Sequence, residues 1–260
     1  MDDTFFGNNS NVLEFNGYDS SEAIFTASGR DLVLTFENSS DSIFIDDALS
    51  SDTIETFEFD DATLGLSDVR DILIAEQQSD GDDIIYDVIG DDNINGGAGD
   101  DEIFVADGNS VVDGGAGNDR ISLEGGQNII NGGAGNDFIS AGEDADLIMG
   151  GLDNDFIFGE DGNDTYVFNF GDGNDQIIDF GLFEEEADVI DFNGYDFSDA
   201  IFSREGDDLL ITFFGSNDSI RSANNFDNDF DGVEIFMFDD LTVTLDEIEI
   251  FEDLIPIFLV

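Results

Sequence analysis

The chain has 260 residues and a formal net charge of −60, because it carries 65 acidic residues and only five basic ones. It contains neither His nor Cys, which excludes zinc sites with those ligands, Ser-His triads and thiol nucleophiles, so we expect no enzyme activity. The charge also opposes binding to nucleic acid or to an anionic membrane, whereas an apolar content of 40% suffices for a buried core.

Residues 1–77 are predicted to form a small β-rich module. Apolar and polar residues alternate over 32–36 after a polar turn at 28–31, which is typical of a β-hairpin. The apolar spacing in 67–77 indicates a short helix that leads into the next segment.

Ten nine-residue frames follow without a break over 78–167, and every eighth position is apolar. The most regular frames are GGAGDDEIF, GGAGNDRIS, GGAGNDFIS and GGLDNDFIF, which begin at Gly96, Gly114, Gly132 and Gly150. Glycine permits left-handed turns, and the three residues around position eight form a short strand whose middle side chain points inward. We therefore predict an all-β fold in which 78–178 is a parallel β-roll with a column of buried Ile.

Two frames make one turn of such a roll, so equivalent positions lie eighteen residues apart and the sixth positions form two edges. The first edge carries an unbroken row of carboxylates: Asp83, Asp101, Asp119, Asp137 and Asp155. The second edge is interrupted by two uncharged residues: Asp92, Ser110, Asn128, Asp146 and Asp164.

Carboxylate and carbonyl oxygens, in a chain without His or Cys, favour calcium over zinc or iron. An ion held between turns needs a carboxylate from each, so we expect about four sites on the first edge and one or two on the second, about four to six Ca²⁺ ions in all. Asp146 and Asp164 are the expected ligands on the second edge. The alternative is that Gly and Asp only form surface turns.

The frames match G-G-x-G-x-D-x-U-x, and the chain resembles the RTX (repeats-in-toxin) haemolysin-type calcium-binding proteins. The resemblance implies octahedral sites with carbonyl oxygens from positions one and three of one turn, from two and four of a neighbouring turn, and an Asp oxygen from both. The implied carbonyl ligands are Gly96, Gly97, Ala98, Gly99, Gly114, Gly115, Ala116, Gly117, Gly132, Gly133, Ala134, Gly135, Gly150, Gly151, Leu152 and Asp153. The last two stand where the other regular frames have Ala and Gly.

The segment after the repeats copies the segment before them. Residues from Val12 and from Val189 align at a constant offset of 177, beginning VLEFNGYD and VIDFNGYD. Both copies resemble the haemolysin-type calcium-binding-related module that accompanies RTX repeats. We predict that 1–77 and 179–260 are modules that cap the two ends of the roll; the alternative is that they are binding modules.

The last residues, Glu252 and Asp253 followed by LIPIFLV, look like the C-terminal signal of type I secretion substrates; the alternative is a final strand or helix packed on the core. The first thirty residues lack a Sec-type signal, and no segment is long enough to span a membrane. The resemblance implies an extracellular protein, exported by the type I machinery.

The prediction is a secreted, calcium-binding structural or adhesive protein that is largely unfolded until it binds calcium. Its expected partners, besides calcium, are an extracellular glycan or a cell-surface matrix. The alternative is a carbohydrate-binding module of the type attached to alginate epimerases. Ice binding is a third possibility, but the third position of the regular frames holds Ala or Leu where an ordered Thr row would be needed.

Overall fold

The computed structural model describes residues 11–28, 31–46, 48–49, 54–87, 90–179, 187–226 and 232–248. The chain forms two compact units, one of residues 1–77 and 87–90 and the other of residues 78–86 and 91–260. Helices of the described part are too short and too polar to cross a membrane. The expected secretion signal at 252–260 lies outside the described residues.

The first unit contains two three-stranded sheets, ordered β1-β5-β6 and β2-β3-β4. Its elements are β1 Val12–Phe15, a 3-10 turn Ser20–Glu22, β2 Ala23–Ser28, β3 Asp31–Phe36, β4 Ser42–Ile45, β5 Thr56–Phe59, β6 Thr63–Gly65 and α1 Leu66–Ala75. Burial alternates along β3, so the predicted strand pattern is confirmed. The predicted helix is confirmed as α1, which begins where Gly65 N–H donates to Asp68 Oδ2 at 2.7 Å and buries Val69 fully.

Residues 84–178 form the parallel roll that the repeats predict. Its strands are β7 Ile84–Tyr86, β8 Asn93–Asn95, β9 Glu102–Val105, β10 Val111–Ala116, β11 Arg120–Leu123, β12 Ile129–Ala134, β13 Phe138–Ser140, β14 Leu147–Leu152, β15 Phe156–Phe158, β16 Thr165–Asn169 and β17 Asn174–Ile178. Odd-numbered strands pair in one sheet and even-numbered strands in another, each with the strand one full turn away. The prediction of an all-β parallel roll is confirmed.

The apolar eighth positions form two buried columns, one on each sheet, where the sequence had suggested a single column. The first column is Ile85, Ile103, Ile121, Ile139 and Ile157, and Ile177 continues it beyond the frames. The second is Ile94, Val112, Ile130, Ile148 and Tyr166, and Ile190 continues it. None of these side chains is more than 3% exposed. Each buried aliphatic side chain contributes roughly 1.5–3 kcal/mol, so the columns are the main apolar contribution to the stability of the roll.

The C-terminal module continues both sheets of the roll. Its elements are β18 Val189–Asn193, a 3-10 turn Phe197–Asp199, β19 Ala200–Glu205, β20 Asp208–Phe213, β21 Ser219–Ala223, β22 Ile235–Phe238 and β23 Thr242–Thr244. β18 pairs with β16 and β21 pairs with β17, both in parallel, while β19, β20 and β23 add antiparallel strands. The last two roll strands therefore have hydrogen-bonded neighbours in this module.

The two flanking modules share one internal structure, as the 177-residue offset predicts. Tyr18 stacks on Phe36 with ring centroids 4.0 Å apart, and its hydroxyl donates to Asp41 Oδ2 at 2.5 Å. In the second copy Tyr195 stacks on Phe213 at 3.8 Å and its hydroxyl donates to Asp218 Oδ2. The copies differ in their sheets, because the first forms sheets of its own. That the first copy caps the other end of the roll stays a prediction.

Candidate metal sites

The turns along the first edge adopt a backbone that glycine favours. The second residue of each turn has a φ between 98° and 110°, in the left-handed region: Gly97, Gly115, Gly133 and Gly151. The fourth position is left-handed too, and Asp153 adopts this conformation, with a φ of 84°, where the other turns have glycine. The fourth turn thus keeps its backbone conformation despite its departure from the pattern, and the Leu152 side chain is exposed.

The first residue of each turn must be glycine because a side chain there would collide with neighbouring oxygens. A Cβ on Gly96 would collide with Asp101 Oδ2 and with the carbonyl oxygen of Gly114 in the next turn. Gly114 and Gly132 repeat this arrangement one and two turns further on. Each of these glycines leaves open a space lined by one carboxylate oxygen and one carbonyl oxygen, which are the donors that calcium prefers.

Carbonyl oxygens at the third position each have a hydrogen-bond partner in the protein. They accept a hydrogen bond, 2.8–3.2 Å long, from the fourth-position N–H of the preceding turn. The acceptors are Ala116, Ala134 and Leu152, and the donors are Gly99, Gly117 and Gly135. A carbonyl oxygen has two lone pairs, so one remains for a cation.

The aspartates of the first edge form a continuous ladder. Oδ1 of each aspartate after the first accepts a hydrogen bond of 2.7–3.0 Å from the backbone N–H of the preceding rung. The rungs are Asp83, Asp101, Asp119, Asp137, Asp155 and Asp175. From Asp101 onward, this hydrogen bond fixes Oδ1 of each carboxylate, and it therefore also fixes the position of Oδ2.

That second oxygen is buried without a hydrogen-bond partner among the described residues. This holds for four successive rungs: Asp101, Asp119, Asp137 and Asp155. Each of the four side chains is at most 3% exposed. Buried polar atoms normally have partners, and a buried anionic oxygen without one is costly. A row of such oxygens beside glycine-lined spaces fits a row of cations.

Asp83, the first rung, has a different environment. Its carboxylate accepts hydrogen bonds from the Ser79 backbone N–H at 2.6 Å and from the Ser79 hydroxyl at 2.8 and 2.9 Å. Ser79 is in register with Gly97, the second residue of the next turn on this edge. Asp83 therefore belongs to the ladder through its backbone N–H, while its carboxylate already has donors.

The second edge forms the same ladder with uncharged members. Ser110 N–H donates to Asn128 Oδ1 at 2.9 Å, and Asn128 N–H donates to Asp146 Oδ1 at 2.7 Å. Asp146 N–H donates to Asp164 Oδ1, and Asp164 N–H donates to Asp188 Oδ1, both at 2.8 Å. Oδ2 of Asp146 and Oδ2 of Asp164 are buried and lack a hydrogen-bond partner within the described ranges.

At Asn128, the second edge has a side-chain amide in place of a carboxylate. Its Nδ2 donates to the carbonyl oxygen of Gly126 at 2.8 Å and to that of Gly125 at 3.5 Å. The amide thus interacts with carbonyl oxygens of its own turn, the kind of group that a cation would contact. A site at this rung is therefore disfavoured, in keeping with the weaker second edge that the sequence predicts.

Burial raises the pKa of the ladder carboxyls. The pKa rises to about 6 for Asp119 and Asp155 and to about 7 for Asp137 and Asp146, mainly because burial disfavours the charged form. Neighbouring carboxylates contribute in the same direction. Without a cation, the folded chain therefore holds protons that the unfolded chain releases.

We expect acid to favour folding of the calcium-free protein. A carboxyl whose pKa is raised in the folded state stabilises it at low pH, and this stability is lost as the pH rises through about 6 and 7. In chelator, the strand signal in circular dichroism should increase as the pH falls through that window. The window lies above the ordinary carboxyl pKa of 3.8, so exposed acids contribute little. A constant or falling signal would contradict the assignment.

The repeat region matches a known family. Residues 78–112, 105–139 and 140–177 match the family described as RTX calcium-binding nonapeptide repeat. Residues 31–64 match the haemolysin-type calcium binding protein related domain. Over its roll, the chain is thus similar to the RTX calcium-binding repeat proteins.

Other comparisons add little beyond the family. No curated protein matches this chain significantly. Among solved structures, it is similar to the extracellular lipase LipA from Serratia marcescens, with 16% sequence identity and a TM-score of 0.27. That similarity covers 84% of this chain and 31% of the lipase chain, so this chain spans less than a third of the lipase's length.

Sequence reasoning missed three acidic residues at the end of the RTX roll. Asp175 and Asp188 extend the two ladders, but they follow the preceding rung by 20 and 24 residues. Asp179, which lies next to Asp164 and Asp188, follows β17. The eighteen-residue spacing excludes all three. The apolar pair Ile177 and Ile178 could have revealed the first shift, since Ile177 continues the column of Ile157.

Proposed function

We propose that this chain is a secreted structural RTX protein whose roll is held folded by about four to six Ca²⁺ ions between successive turns. The observation that supports it most strongly is the row of buried Oδ2 atoms on the first edge that have no hydrogen-bond partner among the described residues. Bound calcium would supply the positive charge that these oxygens otherwise lack.

Four first-edge sites would take Oδ2 from Asp101, Asp119, Asp137 and Asp155, with carbonyl oxygens of the glycine turns beside them. The first-position carbonyls of Gly114, Gly132 and Gly150 lie nearest to the open spaces. On the second edge, Asp146 and Asp164 are the proposed ligands. Asn128 is not, since its side-chain amide donates to the carbonyl oxygen of Gly126, where a cation would otherwise bind. Asp83 contributes its backbone to the ladder, and Ser79 already supplies donors to its carboxylate.

The proposed role is structural or adhesive, without catalysis. Calcium stiffens the roll because each ion joins two turns that otherwise repel each other through buried like charges. Most of the 65 acidic residues remain on the surface, where salt screens them. No comparison supports the carbohydrate-binding alternative.

Calcium-dependent folding also fits export. A chain that stays unfolded at low calcium can pass a type I exporter and fold where calcium is plentiful. This proposal rests on the family, whose members are typically secreted, and on the acidic pair and apolar residues at 252–260.

We expect the protein, expressed with a type I exporter, to accumulate in the medium and to resist chymotrypsin there while calcium is present. Adding EGTA to the medium should make it sensitive, because the chain offers 27 Phe to the protease once it unfolds. Cells without the exporter are the control. Retention in the cells would contradict export, and resistance that survives EGTA would contradict calcium-dependent folding.

A further inference from the structure

A cluster of three carboxylates lies where the last repeat meets the C-terminal module. Asp164 precedes β16, Asp179 follows β17 and Asp188 precedes β18. One carboxylate oxygen of each lies within 4.8 Å of the others. All three side chains are at most 2% exposed. Three buried groups of like charge at this separation repel each other strongly unless a cation or protons neutralise them.

The oxygens of this cluster are held in place by defined donors. Tyr166, fully buried between them, donates its hydroxyl to Asp179 Oδ2 at 2.6 Å. Asp188 Oδ1 accepts from Asp164 N–H, and Asp188 N–H donates to Glu234 Oε2 at 2.8 Å. Asp164 Oδ2 is buried within the cluster and has no hydrogen-bond partner among the residues that the structure describes.

Gly159 lets three oxygens come together at the cluster. A Cβ at this position would collide with the Tyr166 hydroxyl and would lie 2.6 Å from Asp164 Oδ2 and 3.0 Å from Asp179 Oδ2. Its φ is not among the left-handed values of the described glycines, so the close approach of these oxygens is the reason for glycine here. The unpartnered oxygen of Asp164 therefore lies close to the Asp179 oxygen that accepts from Tyr166.

Asp179 adds a carboxylate that the preceding turns on this edge lack. Because Phe158 pairs with Ile178, Asp179 is in register with Gly159, the first position of its frame. The three first positions before Gly159 hold Val105, Leu123 and Ala141, and a carboxylate recurs in this register only at Asp87, in the first frame of the edge. Asp179 and Asp188 also lie beyond residue 177, where the family match ends.

We propose that Asp164, Asp179 and Asp188 form a further cation site that joins the last repeat to the C-terminal module and that shares Asp164 with the proposed second-edge site. Three carboxylates suit calcium, and they suit a trivalent lanthanide still better because its charge matches theirs. A cation here connects β16, β17 and β18, so it couples the folding of the module to that of the roll. The site does not depend on the first-edge sites.

Terbium luminescence tests the site, because Tyr166 touches a proposed ligand and the chain contains no Trp. With calcium-folded protein and one equivalent of Tb³⁺, excitation of tyrosine should give sensitised terbium emission. Tyr166→Phe keeps the ring and all three carboxylates, and it should reduce this emission more than fivefold. The matched controls Tyr86→Phe and Tyr195→Phe should retain it. Equal losses in the three variants, or none in Tyr166→Phe, would overturn the proposal.

Carboxylate variants separate this site from the first-edge sites. Asp179→Asn should abolish emission at the first equivalent, whereas Asp137→Asn should leave it intact. Excess calcium should displace the bound terbium. If Asp179→Asn does not fold, the Tyr166→Phe comparison still decides. Emission lost in Asp137→Asn and kept in Asp179→Asn would place the ion on the first edge and overturn the proposal.

Discussion

Removal of calcium is expected to unfold the roll. In EGTA the parallel-strand signal in circular dichroism should be lost, and millimolar calcium should restore it. An ion at a hundred times its dissociation constant stabilises the folded state by about 2.7 kcal/mol, so four ions contribute about 11 kcal/mol. That is comparable to the whole stability of an ordinary domain, which is about 5–15 kcal/mol.

Screening must be separated from binding, since a chain with a net charge of −60 is stabilised by any salt. Sodium chloride at the ionic strength of the calcium solution is the control, and magnesium chloride is a second one. Both should leave most of the signal unrecovered, because magnesium is reluctant to lose its waters. A signal that survives EGTA, or that sodium restores fully, would contradict calcium-dependent folding.

Two opposite substitutions, Asp137→Asn on the first edge and Asn128→Asp on the second, should change the number of bound calcium ions in opposite directions. Asp137→Asn keeps the Oδ1 that accepts from Asp119 N–H but removes the charge of the unpartnered oxygen. We expect this variant to bind at least one ion fewer and to lose about 2.7 kcal/mol of calcium-dependent stability. Native mass spectrometry counts the ions, and calcium titration followed by circular dichroism gives the stability.

Asn128→Asp is the counterpart on the second edge. It keeps the acceptor for Ser110 N–H, removes the amide that interacts with Gly126, and places a carboxylate next to Asp146. We expect one additional ion, and a calcium-free state that is less stable by about 1–3 kcal/mol because a buried charge has been added. If both variants change the ion count in the same direction, the assignment of the two edges is wrong.

The sequence predicts the roll well because its period specifies several properties at once. The nine-residue frame determines which residue points inward, and the eighteen-residue spacing determines which strands pair. All ten eighth-position side chains are accordingly buried. The short helix after residue 65 is also predicted, since its signal is local.

Other features depend on groups that are distant in the sequence. The flanking modules have similar sequences, yet among the described strands the first module forms sheets of its own and the second continues the sheets of the roll. Strand pairing across modules depends on tertiary contacts that the local sequence does not specify. The Asn128 amide and the Asp83–Ser79 contacts require side-chain geometry that a frame does not specify. Asp179 enters its cluster only through the shifted register of β17.

The most direct test is a crystal structure grown with calcium, in which an anomalous difference map locates the ions. The first edge should show a peak beside Oδ2 of each unpartnered rung, Asp101, Asp119, Asp137 and Asp155, and no peak should lie between Ser110 and Asn128. A first edge without peaks, or calcium bound only to exposed carboxylates, would contradict the account.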